Sequence, residues 1–211
     1  EGGYFKKITK QSLRGNDEQK LKADDRVLMM EEADNLAEVM FVGSAGNMYR
    51  IKVSDYNTCK ASELGEFLPQ KLKADDDELM KMMKVNPKFD SKTNLIFVFV
   101  NGKAVKVPMS IYVTKAPRKK IVKICNTNVS LAGVFYEEDG KPIDIFMRSG
   151  NKGVTISSKL IPIKATRTSP GVTIFTLKKD QTLDLATTDF EQYPEAAKCK
   201  KIKIPATGSS F

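Results

Sequence analysis

The chain has 211 residues, 41% of them hydrophobic, with 35 Lys and Arg against 26 Asp and Glu, a formal net charge of +9. Histidine is absent, which excludes His-based triads, His general bases and His-containing zinc sites. No apolar run approaches the ~20 residues of a membrane-spanning helix, and the three widely spaced cysteines, Cys59, Cys125 and Cys199, form neither a CxxC pair nor a disulfide framework, which points to a reducing cytoplasm.

Read in order, the chain repeats itself. Gly3 is followed by a strand over Tyr4-Phe5-Lys6-Lys7-Ile8, and Gln11 to Lys20 reads as a polar loop. Lys20-Leu21-Lys22-Ala23-Asp24-Asp25 then returns unchanged as Lys71-Leu72-Lys73-Ala74-Asp75-Asp76. With Leu21, Leu72, Ile124 and Leu177 as equivalents the spacings are 51, 52 and 53 residues, the period of an array of one supersecondary unit. Arg26 to Glu31 reads as a strand, with Val27, Leu28 and Met29 as core candidates, and Leu79 to Val85 as its counterpart. Three apolar strands each lead through a turn glycine, Gly46, Gly102 or Gly150, into an alternating strand; these are the hairpins 37–53, 95–107 and 143–156. A short helix fits 60–64. Ile121 to Ile124 and Val129 to Tyr136 read as a further strand pair, followed by a turn at Glu137 to Gly140; Val172 to Leu177 and Thr182 to Ala186 read as the last strands.

The repeats divide as 1–36, 37–90, 91–140 and 141–195, with a basic tail around Ile202 and Ile204. The expectation is one all-β domain over 1–211: a propeller-like ring of about four blades, each a four-stranded antiparallel sheet. The first repeat lacks its first half. The tail strand at Ile202 and Ile204 would close the ring, or the missing strand lies upstream of Glu1 in a longer protein.

Catalytic chemistry finds little to use. Asp75-Asp76-Asp77-Glu78 is the densest carboxylate cluster, but its twin at Asp24-Asp25 sits at the same repeat position and reads as a solvated turn. Gly43-Ser44-Ala45-Gly46 precedes a strand, where a phosphate loop needs a helix. The basic residues recur instead. Lys7, Arg50 and Lys106 each stand four residues after a turn glycine, and strand alternation predicts that they point outward together while Tyr49, Ile51, Val53, Val105 and Val107 point inward. The fourth unit departs, with Val154 at that position and Arg148 and Lys152 nearby. The predicted DNA-contacting set is Lys6, Lys7, Arg14, Arg50, Lys52, Lys103, Lys106, Arg118, Lys119, Lys120, Arg148, Lys152 and Arg167. Such a belt of cations suits a bent polyanion.

Gly3-Tyr4-Phe5-Lys6-Lys7-Ile8 and Gly46-Asn47-Met48-Tyr49-Arg50-Ile51 resemble the Gly-Tyr-apolar-Lys-Arg/Lys opening of repeats in the C-terminal domain of bacterial type IIA topoisomerase A subunits. Gly65-Glu66-Phe67-Leu68-Pro69, with Leu72 and acidic residues after it, resembles their middle segment. Thr166-Arg167-Thr168-Ser169-Pro170-Gly171-Val172 resembles their Gly-Arg-x-x-x-Gly-Val stretch without its first glycine. The resemblance implies a β-pinwheel, a propeller-like ring with exchanged strands whose basic perimeter binds and bends duplex DNA. It implies a non-catalytic part of an ATP-dependent enzyme, without cofactor, working in the bacterial cytoplasm at the nucleoid. Its partners would be duplex DNA, the upstream catalytic domain of the same subunit and the ATPase subunit, with no membrane. The family's catalytic tyrosine lies upstream, so Tyr4, Tyr49, Tyr56, Tyr112, Tyr136 and Tyr193 do not inherit that role. Gyrase carries a Gln-Arg-Arg-Gly-Gly-Lys/Arg-Gly box; the corresponding Gln11-Ser12-Leu13-Arg14-Gly15-Asn16-Asp17 keeps only part of it, which favours a topoisomerase IV-like subunit. A gyrase domain with a degenerate box and a propeller that binds protein remain the alternatives.

Overall fold

The computed structural model describes residues 3–15, 19–75, 78–116 and 118–211, and their regular structure is mostly β, with a few short helices. They divide into two compact units, Glu1–Pro87 with Arg118–Lys120 and Lys88–Pro117 with Ile121–Phe211. Asn16, Asp17, Asp76 and Asp77, which the sequence placed in the partial box and the acidic cluster, lie outside the described residues.

In the first unit, Glu38–Gly43 and Met48–Lys52 form the expected hairpin. Val39 faces Ile51 and Phe41 faces Tyr49, and these side chains make one buried face with Val53, Tyr56 and Leu68. Met80–Val85 adds antiparallel to Glu38–Gly43, close to the predicted strand 79–85. Gly46 takes φ 72°, which turns the chain back without a Cβ penalty. Before this sheet, Tyr4–Phe5 pairs antiparallel with Glu66–Phe67, and the Phe5 ring meets the edge of Phe41 at 5.7 Å.

Three expectations in this unit are overturned. Lys10–Arg14 is a helix, not loop, because Thr9 caps it: the Thr9 hydroxyl oxygen accepts from the Ser12 N–H at 3.1 Å. The second predicted strand, 26–31, is irregular chain, and Val27, Leu28 and Met29 are 49%, 56% and 43% exposed. In every full sheet the strand at this repeat position pairs with the first strand of a hairpin. Val27 to Met29 join no sheet among the described residues. The short helix lies at Leu68–Leu72, with Pro69 in its first turn, and 60–64 forms turns.

The second unit holds two larger sheets. In one the order is Leu131–Glu137, Asn94–Phe99, Lys103–Pro108, Val172–Thr173. In the other it is Leu185–Thr187, Asp144–Ser149, Lys152–Ser157, Lys200–Lys201, with Ser209–Ser210 also against Lys152–Ser157. Ile96, Val98 and Ala104 pack into one cluster with Ile145, Met147, Val154 and Ile156, so the sheets share a core. The far face of the last sheet is covered as well: Phe146 packs with Ala196 and Cys199 of the 3-10 segment Pro194–Cys199. Burial on both faces is why Leu95 to Phe99 and Ile145 to Met147 read as unbroken apolar runs.

The predicted pairing of 121–124 with 129–136 does not form. Leu131–Glu137 instead completes the sheet of Asn94–Phe99. The tail strand also differs from expectation. Lys200–Lys201 and Ser209–Ser210 add to Lys152–Ser157, while Ile202 is 86% exposed.

Gly65, Gly171 and Gly208 each stand just before a short segment that pairs with the start of the strand following Gly3, Gly102 or Gly150. At Gly171, φ is +76° and an added Cβ would lie 2.2 Å from the Ala104 carbonyl oxygen. Gly171→Ala therefore costs about 2 kcal/mol from backbone strain and displacement of the paired edge. The melting temperature should fall by roughly 4–8 °C for a chain of this size; an unchanged value would show that the edge pairing is dispensable.

Candidate nucleic-acid interface

The three cations four residues after a turn glycine have different surroundings. Lys7 is half-buried and its ammonium donates to the Tyr56 carbonyl at 3.3 Å. Arg50 makes a fork on Glu38, Nε to Oε1 at 2.8 Å and Nη2 to Oε2 at 2.9 Å, with its side chain 18% exposed. Lys106 does not point outward. It is buried, its ammonium 3.0 Å from a Glu137 carboxylate oxygen, and Asn94 Nδ2 donates to the same carboxylate at 2.9 Å. The Ser158 hydroxyl also donates to Glu137. The reason is sheet stacking: Lys106 shares its face with Ile96, Val98 and Ala104, and that face is packed against the neighbouring sheet. The common outward belt of Lys7, Arg50 and Lys106 is therefore corrected. The predicted inward residues Tyr49, Ile51, Val53, Val105 and Val107 are all buried.

The remaining predicted residues are scattered in character. Lys6 is committed: its ammonium donates to Gln19 Oε1, Lys20 O and Ala61 O at 2.7–3.1 Å. Arg148 is half-buried, 3.2 Å from Asp184 and over the Tyr193 ring. Lys103 and Arg167 are half-buried. Arg14, Lys52, Arg118, Lys119, Lys120 and Lys152 are exposed, Lys152 donating to the Ser210 hydroxyl at 2.6 Å.

What alternation missed is the free edge of each second hairpin strand. A later segment lies along it, at the level of the recurring position, and brings lysines there. Thr58 bridges Lys7 in parallel and the Cys59 N–H donates to Lys7 O at 2.9 Å, placing Lys60 next in line. The Arg50 N–H donates to Lys119 O at 2.8 Å, beside Lys120, whose ammonium lies 5.3 Å from the Tyr49 ring centre. Ile163 bridges Lys106 in parallel and the Lys164 N–H donates to Lys106 O at 2.8 Å. Lys200 and Lys201 pair in parallel with Thr155 and Ile156. Lys60, Lys119, Lys120, Lys164 and Lys200 are exposed. The sequence signal was present as separate basic clusters; their common structural position was not.

A carboxylate recurs beside this position. Glu38 pairs with Arg50, Glu137 with Lys106, and Asp144 with Lys200 at 2.7 Å. The acid and the cation come from different strands in the three sheets, but one pair is present in each.

Among the described residues no three His, Cys, Asp or Glu side chains come together to hold a metal. Burial, reinforced by a 2.5 Å hydrogen bond to the Glu78 carboxylate, holds the Tyr49 phenol well above its ordinary pKa. Burial does the same to Tyr112 and pushes the Cys125 thiol up to about 12. These groups are protonated at neutral pH. No helix is long and apolar enough to cross a membrane, among the described residues.

Repeated hairpin sheets whose second strands take later segments along their edges define a β-pinwheel type of fold. Solved structures with this fold include the C-terminal domain of DNA topoisomerase IV, which aligns with TM-score 0.73 at 20% identity over 88% of this chain. The E. coli ParC C-terminal domain aligns with TM-score 0.55 at 15% identity, over 92% of this chain and 84% of that one. A DNA gyrase A C-terminal domain aligns at TM-score 0.48 and 15% identity, over 73% of this chain and 48% of that one. The chain spans 58% of the topoisomerase IV structure. No family model and no curated protein matches the sequence.

Proposed function

We propose that this chain is a non-catalytic DNA-binding domain of a topoisomerase IV-like enzyme. In this reading its two units act as one domain that holds and bends a second duplex segment for an upstream catalytic core, with an ATPase subunit completing the enzyme. The observation that carries it is the recurrence of exposed lysines along the edges of the second hairpin strands, on a fold shared with topoisomerase IV C-terminal domains. Lys60, Lys119, Lys120, Lys164 and Lys200 offer phosphate contacts that need no particular base sequence. The incomplete box at Gln11 to Gly15 and the likeness to topoisomerase IV support that paralogue over gyrase.

The test is electrophoretic mobility shift with several unrelated duplexes of about 40 base pairs. All should shift at low salt, with affinity falling steeply as salt rises. Absence of any shift at 50 mM salt would overturn the reading and favour a protein-binding propeller.

A further inference from the structure

Arg50 is the one member of the recurring cation position whose guanidinium is both partly exposed and held in a two-point fork. The fork is made by Glu38, on the neighbouring strand, and the two side chains are 18% and 33% exposed. A carboxylate offers two oxygens in a plane, the geometry that a phosphate also offers to arginine. Glu38 therefore occupies the donors that Arg50 would present to a phosphate, at the strand edge where Lys119 and Lys120 also stand.

The main chain of residue 38 does separate work. Its N–H donates to Asn86 Oδ1 at 3.1 Å and its carbonyl accepts from the Asn86 N–H at 2.7 Å. Strand pairing at this point therefore does not depend on the carboxylate. The core on the other face is built from Val39, Phe41, Tyr49 and Ile51, which the Glu38 side chain does not join. The buried counterpart, Glu137, is different: it is packed beside Ser158 and Asn94, and its carboxylate compensates an otherwise buried ammonium. Asp144, the third acid, meets Lys200 through one oxygen, whereas Glu38 is partly exposed and holds both oxygens on a guanidinium.

We infer that Glu38 sets the affinity of the domain for duplex DNA by competing with phosphate for the Arg50 guanidinium. This rests on the DNA-binding reading above. On binding, the fork on Glu38 exchanges for a fork on a phosphate, and the freed carboxylate remains close enough to oppose the contact. Removing its charge loosens the two-point hold on Arg50 and removes the opposing charge together.

The test is fluorescence anisotropy with a labelled duplex, using the full 211-residue chain as wild type, E38Q, R50A and the double variant. E38Q should bind up to about fivefold tighter, the scale of a partly exposed ion pair. Its plot of log affinity against log salt should steepen by up to about 0.9, the counterion release that the freed carboxylate cancels in the wild type. The advantage should accordingly shrink by up to about 3.5-fold between 50 and 200 mM salt. In the R50A background, E38Q should give no gain and no change of slope. A gain that persists without Arg50 would mean that only general charge is at work, and the inference would be wrong. Binding by wild type with E38Q unchanged would also overturn it while leaving the DNA reading intact. Failure of the wild type to bind would instead remove the DNA reading and this one with it. A second readout guards against misfolding: the Arg50 Nε–H resonance of the wild type should move when duplex is added, and a fixed resonance in a saturated complex would show that Glu38 keeps its fork.

Discussion

Replacing Arg118, Lys119 and Lys120 together by alanine should flatten the salt dependence of DNA binding by about 2.7 in slope, about 0.9 for each phosphate left without its cation. At 0.1 M salt this amounts to a loss of up to about 500-fold. All three side chains are exposed, and Lys119 is 3.8 Å from Asp55 with 87% of its side chain open to solvent. A pair that open is screened and contributes little, so the lysine remains available to phosphate. The loss should be similar for unrelated duplexes, because backbone contacts carry no base information. Stability should move by no more than about 1 kcal/mol: the Arg50 N–H bonds the Lys119 carbonyl, which alanine keeps, while the open Lys119–Asp55 pair and the Lys120 contact with the Tyr49 ring are lost. An unchanged slope would show that this segment does not touch DNA. A loss confined to one sequence would show that it reads bases.

The parts of the fold that were legible in the sequence are those that depend on local geometry. Gly46, Gly102 and Gly150 all take positive φ, as hairpin turns require, and the segments flanking each of them form strands. The departure at Val154 was also legible, and its cause is turn length. Ser149 pairs with Lys152 across two residues, whereas Val42 pairs with Met48 across five. An odd change in loop length exchanges the faces of every following residue, so Val154 takes the face opposite to the one that Arg50 and Lys106 take in their own sheets. What could not be read was pairing between distant segments. The six-residue repeat shows this plainly: its second copy ends the helix Leu68–Leu72 with Lys73 at φ 53°, while its first copy makes a turn with Asp24 at φ 61°. The same residues adopt different conformations because only the second copy leads into a strand with a hairpin to join. The edge segments at 58, 119, 163 and 200 are similar. Each is two or three residues long, too short for a period of two to reveal, and each is fixed by a strand 45 to 69 residues earlier.

Lys106 tests the opposite consequence of sheet stacking, because its alternation was read correctly and its environment was not. Lys106→Ala should destabilise the protein by about 3–5 kcal/mol, the cost of leaving a buried charge without its partner. The carboxylate left behind belongs to Glu137, whose side chain is 3% exposed. Asn94 and Ser158 still donate to it, but neither supplies a positive charge. The melting temperature should fall by roughly 6–20 °C. Replacing both partners, as Lys106→Met with Glu137→Gln, should recover most of the loss, since neither buried charge then remains. DNA binding measured well below the melting transition should keep the wild-type salt slope in both variants, because the ammonium is committed inside the second unit and does not reach a phosphate. A variant that melts like the wild type but binds DNA with a slope flatter by about 0.9 would reverse both conclusions. It would place Lys106 at the DNA, and the stacked face that buries it would have to open on binding.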